Sequence, residues 1–254
     1  MPANGHEPTP PIVRHGRNGL PRVCVALATY NRLEHLKRAV ASARAASEGT
    51  DVTFAIADGG STDGTLDWLA EQGDVVVFRQ ELPLTGAVRA FNLSFGYAVD
   101  AGFPFVFHFN DDAEVVTLGA FAEAVEILEQ NPRVGEVAFA FDLRGRMNFD
   151  ELHHKPYGNF GMVRAEAGIA VAQAQGDPSG RAWWNPEYRT YGADCEFACW
   201  QWKLGWTILP RHDLQVHDTK CMDVLRELNQ SDNPERSDSH LFWGRWGSPR
   251  SIEP

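Results

Sequence analysis

Three short polar clusters break otherwise apolar stretches of this chain: Thr29-Tyr-Asn-Arg32, Asp58-Gly-Gly-Ser-Thr-Asp-Gly-Thr65 and Asn110-Asp-Asp112. Two glycines follow Asp58 at once, so a ligand can come close to the backbone there. The Asp58 carboxylate can accept hydrogen bonds from a nucleobase or ribose; the alternative is an Asx turn that caps the next helix. Asn110-Asp-Asp112 ends the most apolar run of the chain, residues 103–109. Adjacent carboxylates at the end of a buried strand repel one another unless a cation is present. Oxygen-only ligands suit a hard ion such as Mg²⁺ or Mn²⁺, which commonly bridges to substrate phosphates. A solvated turn is the alternative for this acidic pair.

The elements that must position these clusters follow from periodicity. Residues 22–28 read as a strand, and Asn31 with Glu34 reads as an N-cap pair for a helix carrying Leu33, Leu36 and Val40. Strands are expected at 52–57 and 75–78, with a short helix bearing Leu66 and Leu69 between them. A helix at 88–101 ends at Gly102 and leads into the 103–109 strand. Thr117 is expected to cap a helix marked by Leu118, Phe121, Val125 and Leu128 and stopped by Asn131-Pro132. Four strand–helix alternations predict an α/β fold with a mostly parallel sheet and helices on both faces. In such a sheet all strand-to-helix loops share one edge, where ligands bind. The three polar clusters therefore converge on one crevice.

Alternation weakens after residue 140, and seven of the eight tryptophans fall between Trp183 and Trp246. The chain reads as a flexible arm at 1–20, with four prolines and three glycines, and one domain over 21–254. Within that domain, about 21–115 forms a nucleotide-binding half, 116–228 an acceptor half, and 229–254 a tail or lid.

Composition narrows the function. The 254 residues are 43% hydrophobic and 22% charged, an ordinary globular balance. A net charge of −11 disfavours nucleic acid and anionic lipid as main partners. Four cysteines make no disulfide framework, and Cys195 and Cys199 read as buried free thiols. No apolar run approaches the ~18 residues of a membrane span, and no signal-peptide core is present, so a cytoplasmic protein not integral to a membrane is expected.

Ala28-Thr-Tyr-Asn-Arg32, the Asp58–Thr65 cluster and Asn110-Asp-Asp112 stand in the order and spacing of family 2 glycosyltransferases of the GT-A fold, and the chain resembles that family. The resemblance implies a Rossmann-like sheet, a nucleotide-sugar donor of UDP, dTDP or GDP type, and inversion at the transferred sugar. The family's D-x-D motif reads here as Asn110-x-Asp112, implying that Asn110 and Asp112 hold Mn²⁺ or Mg²⁺ on the donor diphosphate. Thr29, Asn31, Arg32, Asp58, Gly59 and Asp111 are implied donor contacts. Thr85-Gly-Ala-Val-Arg-Ala-Phe-Asn92 resembles the intervening family segment, adding Arg89 and Asn92 as donor contacts. Where the family often has Arg-Asn-x-Gly, this chain has Phe91-Asn92-Leu93-Ser94.

Further on, Tyr191-Gly-Ala-Asp-Cys-Glu-Phe197, Gly205-Trp206 and Val216-His217 are similar to later family motifs. Asp194 then stands at the catalytic base and His217 at a third metal ligand, with His212, Asp213 and Asp218 as alternative ligands. Glu196 is the rival base; two residues apart on a helix, the two side chains point about 200° apart, so only one can face the sugar. Trp183, Trp184, Trp243 and Trp246 are candidates to stack on sugar faces. The expected activity is metal-dependent, inverting transfer of a sugar to a hydroxyl of a glycan, lipid-linked or small-molecule acceptor. A sugar nucleotidyltransferase would want a glycine-rich basic loop after the first strand, which Thr29-Tyr-Asn-Arg32 lacks. A carbohydrate-binding module on a degenerate transferase fold is the non-catalytic alternative.

Overall fold

The computed structural model describes residues 16, 19–80, 86–143, 145–219 and 238–253. Most of the expected arm, Thr85, and residues 220–237 with the first part of the expected tail lie outside the described residues. Strand and helix alternate through β1 (Arg22–Thr29), α1 (Leu33–Ala46), β2 (Asp51–Asp58), α2 (Thr65–Ala70), β3 (Val75–Arg79), α3 (Ala87–Asp100) and β4 (Phe105–His108). A short β5 (Ala113–Val115) and α4 (Ala120–Gln130) follow, then β6 (Val134–Leu143). Three short strands, β7 (Arg146–Asn148), β8 (Asp150–Leu152) and β9 (Lys155–Tyr157), precede β10 (Gly161–Arg164) and α5 (Ala165–Ala174). The chain continues through α6 (Ala193–Lys203), β11 (Thr207–Asp218) and α7 (Ser239–Trp246) to a 3-10 turn at Pro249–Ile252.

The mostly parallel sheet runs β3-β2-β1-β4-β10-β6-β11-β5, with β7 beside β6. β1 pairs in parallel with β2 and β4, and β2 with β3, so the ends of β1, β2 and β4 share one edge. β10 runs antiparallel between β4 and β6, and β11 lies parallel to β6 and antiparallel to β5. Each face carries its own core. Leu36, Val40, Phe107, Phe121 and Phe139 fill one under α1 and α4. Phe91, Phe95, Trp183, Phe197 and Trp202 fill the other under α3, α5 and α6. β8 and β9 form a separate two-stranded hairpin. Among the described residues, no helix is long and apolar enough to cross a membrane.

Two expected caps are supplied differently. Arg32, not Asn31, occupies the N-cap position of α1, and the exposed Leu33 amide donates to Asp63 Oδ2 at 2.9 Å from the neighbouring loop. Gly119, in the left-handed region at φ 69°, precedes α4. The Thr117 hydroxyl instead donates to the Asp213 carbonyl at 2.8 Å and accepts from the Gln215 amide at 3.1 Å, joining the β5 end to β11. The 103–109 strand narrows to Phe105–His108, though the Phe109 amide still donates to the Ala26 carbonyl at 3.1 Å.

Trp183 and Trp184 show how the apolar half positions the crevice. Trp183 is fully buried, stacked on Phe95 at 4.9 Å between ring centres. Gly168 in α5 makes room for it: a Cβ there would lie 2.3 Å from an indole carbon. Alanine would raise helix propensity by about 1 kcal/mol, but overpacking a rigid ring costs about 1–3 kcal/mol. The clash wins because the ring is wedged between Phe95 and Phe197. Gly168→Ala is expected to lower the calorimetric melting temperature by roughly 3–10 °C; an unchanged or raised value contradicts this packing.

Candidate active site

A cavity of about 530 Å³ opens at the carboxyl ends of β1, β2 and β4. Thr29, Tyr30, Arg32, Gly59, Gln80 and Asn110 with the adjacent Asp111 and Asp112 line the strand-end side. The facing wall comes from the β8–β9 hairpin and residues 184–195, and includes Asp150, Tyr157, Asn159, Trp184, Asp194 and Cys195. That volume suits a small organic ligand of ordinary size.

The strand-end side is built around buried carboxylates. Asp111 and Asp112 are both buried, and the Arg32 guanidinium lies 2.9 Å from Asp111 and 3.5 Å from Asp112. Burial pushes the Asp111 carboxyl up to about 6; Arg32 opposes that rise and the neighbouring Asp112 charge adds to it. Asp58 is fully buried and, unlike Gly59, does not line the cavity; of its expected roles the structure shows the Asx turn. Its Oδ1 accepts from the Gly60 and Ser61 amides at 2.8 and 2.9 Å, closing an Asx turn. Its Oδ2 is buried without a hydrogen-bond partner.

Several expected donor contacts stand elsewhere. Asn31, at φ 51°, accepts from the Thr62 amide at 2.7 Å, while its own amide donates to Ser61 Oγ at 2.8 Å. It pins two loops together and does not line the cavity. Asn92 clamps the Trp184 backbone, donating to its carbonyl at 2.7 Å and accepting from its amide at 3.1 Å. It thereby holds the cavity wall from behind. Arg89 is exposed on α3 and outside the cavity. Arg189, from the facing wall, is the arginine that lines it with Arg32.

The metal set also needs one correction. His217 is exposed and lies outside the cavity, whereas its neighbour Asp218 lines it. Successive strand residues face opposite sides, so a one-residue difference changes the face. The pairing of β11 with β6 is irregular between Arg211 and Gln215, which hides that alternation from the sequence. Among the described residues, no group of three or more His, Cys, Asp or Glu is arranged to hold a metal ion. Asn110, Asp112 and Asp218 nevertheless offer only oxygen donors in one cavity, the chemistry a hard cation needs if substrate phosphates complete its shell.

On the facing wall, Gly192 precedes α6 in the left-handed region at φ 89°, which brings Asp194 into the first helical turn. Asp194 is half-buried, and burial raises its carboxyl above the ordinary range. The Cys195 amide and His108 oppose that rise, and the nearby Asp150 charge adds to it. Glu196 points the other way. It is buried and accepts from Asn185, Tyr188 and Trp246 Nε1, the first at 2.9 Å and the last at 3.0 Å. Arg245 of α7 approaches at 3.4 Å. Glu196 is thus a structural anchor for α7, and Asp194 is the carboxylate that faces the cavity. Trp183 and Trp246 are buried core residues, and Trp184 is the candidate tryptophan on the cavity wall. Asp150, Tyr157 and Asn159 lie on the wall with no motif in the sequence to mark them.

A sequence model of glycosyl transferase family 2 matches residues 24–191. The match ends three residues before Asp194. Among curated proteins no sequence match is found. Among solved structures, the mannosyltransferase PcManGT from Pyrobaculum calidifontis, in complex with GDP-Man and Mn2+, is similar with a TM-score of 0.61 at 15% identity, over 96% of this chain and 75% of that one. S. aureus TarS 1-349 in complex with UDP-GlcNAc gives a TM-score of 0.61 at 15% identity, over 80% of this chain and 59% of that one. The chain therefore spans less than two thirds of that TarS structure, and at such identities the likeness is one of fold.

The raised Asp111 carboxyl has a thermodynamic consequence. Its unfolded value is near 3.9, so the folded state holds an extra proton between that value and about 6. The contribution is fully present below about pH 4 and is lost as pH rises through about 6. Asp111→Asn is therefore expected to raise the melting temperature relative to the parent at neutral pH, with the gain vanishing near pH 4. Thermal unfolding across that range, without nucleotide or divalent ions, checks it; a pH-independent difference contradicts it.

Proposed function

The chain belongs to glycosyl transferase family 2, and from that premise we propose that it transfers a sugar from a nucleoside-diphosphate donor to an acceptor hydroxyl with inversion. One observation carries the reading: a single cavity is lined both by the strand-end residues Thr29, Arg32, Gly59, Asn110, Asp111 and Asp112 and by Asp194. The donor lies with its nucleotide against the ends of β1 and β2 and its diphosphate toward residues 110–112. The acceptor hydroxyl approaches from the Asp194 wall.

In the transfer, the acceptor oxygen attacks the anomeric carbon on the face opposite the diphosphate, and its proton passes to Asp194. The bond from the anomeric carbon to the diphosphate oxygen breaks, and its electron pair leaves on phosphate. A carboxylate with raised proton affinity is a stronger base at the moment of attack, provided it is ionised at the working pH. Arg32 contributes positive charge beside the leaving group and holds Asp111 and Asp112 in place. Phe91, Phe160 and Trp184 present apolar surface that keeps water from competing with the acceptor. Asn110, Asp112 and Asp218 would hold a divalent cation, which supplies Lewis-acid neutralisation of the leaving diphosphate when bound.

Asp194→Asn keeps the side-chain shape and removes the basic oxygen. It is expected to lower turnover by ~10²–10⁴-fold with nearly unchanged nucleotide affinity by calorimetry. Glu196→Gln is expected to lower thermal stability first, since it disturbs a buried carboxylate with several donors. Wild-type turnover in Asp194→Asn overturns the assignment of the base. Chelation by EDTA is expected to abolish transfer, and Asp112→Ala to remove the metal-dependent part of nucleotide affinity. His217→Ala, outside the cavity, is expected to leave both intact. Full transfer in excess EDTA would remove the metal from this reading.

A further inference from the structure

The wall facing the strand ends carries a polar pair that the transfer chemistry leaves unused. Asp150 opens β8 and Asn159 follows β9, and both line the cavity beside Tyr157 and Asp194. Asn159 Nδ2 donates to Asp150 Oδ2 at 2.5 Å. An ionised carboxylate only accepts, so this bond fixes which way the carboxamide is turned. Asn159 Oδ1 is thereby left as a buried acceptor without a hydrogen-bond partner. Among the described residues, Asp150 makes no other hydrogen bond or ion pair, which leaves its second oxygen available. Two hydrogen-bonded neighbours therefore each keep an unused acceptor, and a buried one such as Asn159 Oδ1 is normally satisfied.

The occupant must bring donors and no negative charge. A phosphate or carboxylate is disfavoured beside this pair, because Asp150 and the nearby Asp194 both repel it. Adjacent hydroxyl groups fit: each donates one proton, and two on neighbouring ring carbons reach two neighbouring acceptors. Trp184, Tyr157 and Phe160 line the same cavity and offer apolar faces to the C–H side of a sugar ring. We propose that Asp150 and Asn159 read a vicinal diol of a sugar bound in the cavity, and so set which sugar the protein accepts. The inference rests on the transferase reading for its substrate class, but on the hairpin's own geometry for its residues. The diol can belong to the donor's sugar or to a sugar acceptor.

The test uses Asp150→Asn and Asn159→Ala in the full chain, with calorimetry against GDP, UDP, GDP-mannose and UDP-N-acetylglucosamine. Methyl mannoside, titrated in the presence of GDP, serves as the acceptor-side probe. Both variants are expected to bind GDP and UDP like the parent. Sugar affinity is expected to fall roughly ten- to a hundredfold in Asp150→Asn, the scale of a hydrogen bond to a charged group, and roughly two- to tenfold in Asn159→Ala, the scale of a neutral one. Loss confined to the nucleotide sugars assigns the diol to the donor, and loss confined to the methyl mannoside assigns it to the acceptor. Variants that bind every sugar probe like the parent overturn the inference. Equal losses for bare nucleotide and nucleotide sugar also overturn it, since the pair then only props up the wall. A parent protein that binds the sugar probes but transfers to no acceptor keeps the pair and overturns the transferase reading.

Discussion

Two neighbouring carboxylates at the end of a fully buried strand cannot both stay ionised unaided, and Arg32 is the counter-charge that answers them. Its placement depends on the turn after β1. Asn31 takes a left-handed backbone conformation there, and its side chain and amide fasten that turn to Thr62 and Ser61 after β2. The same neighbouring loop supplies Asp63 to the first amide of α1. One web of bonds thus fixes Arg32, the Asp58 turn and the start of α1 together. The strand ends are held as a unit, so a change in any one loop is felt at the carboxylates.

The facing wall has its own buried charge at Glu196, and the logic is the reverse. Glu196 is surrounded by donors drawn from the 185–188 segment and from α7, which fastens the C-terminal helix onto α6. Asp238, just before α7, accepts from the Arg189 and Thr190 amides at 2.8 and 3.0 Å. The 189–192 stretch that lines the cavity is therefore held from outside by residues nearly 50 positions later. Asp194, two residues before Glu196, escapes this network and stays at the cavity. Helical geometry alone separates an anchor from a candidate base.

The strand–helix alternation through α4 was legible because each element carries its own period and its own stop. β5 and β7–β10 were not, since three- or four-residue strands have too little length for a period to show. Caps were misread where the bonding atom comes from another loop: Asp63 serves α1, and Thr117 serves β11. The strand-end carboxylates were legible because polar residues after an apolar run need a reason. Asn92 was expected from the family resemblance as a donor contact, whereas its side chain clamps the Trp184 backbone. His217 lies outside the cavity that its neighbour Asp218 lines, and the irregular pairing of β11 obscures that alternation in the sequence. Asp150 and Asn159 carry no local pattern at all; only folding the hairpin against the sheet brings them to the cavity.

The charge layout of the cavity gives the two walls different roles. Five aspartates line it, Asp111, Asp112, Asp150, Asp194 and Asp218, against Arg32 and Arg189. Arg32 is already engaged with Asp111 and Asp112. A diphosphate meets repulsion along most of such a surface, and at low effective dielectric that repulsion is several times stronger than in water. The repulsion is least where guanidinium charge, or a cation held by Asp112, offsets it. On the facing wall Asp150 and Asp194 stand with Arg189, and a neutral polyhydroxyl group is the part of a nucleotide sugar that meets least repulsion beside the two carboxylates. On the reading proposed for this site, that layout orients the donor, with phosphate toward the strand ends and sugar toward Asp194.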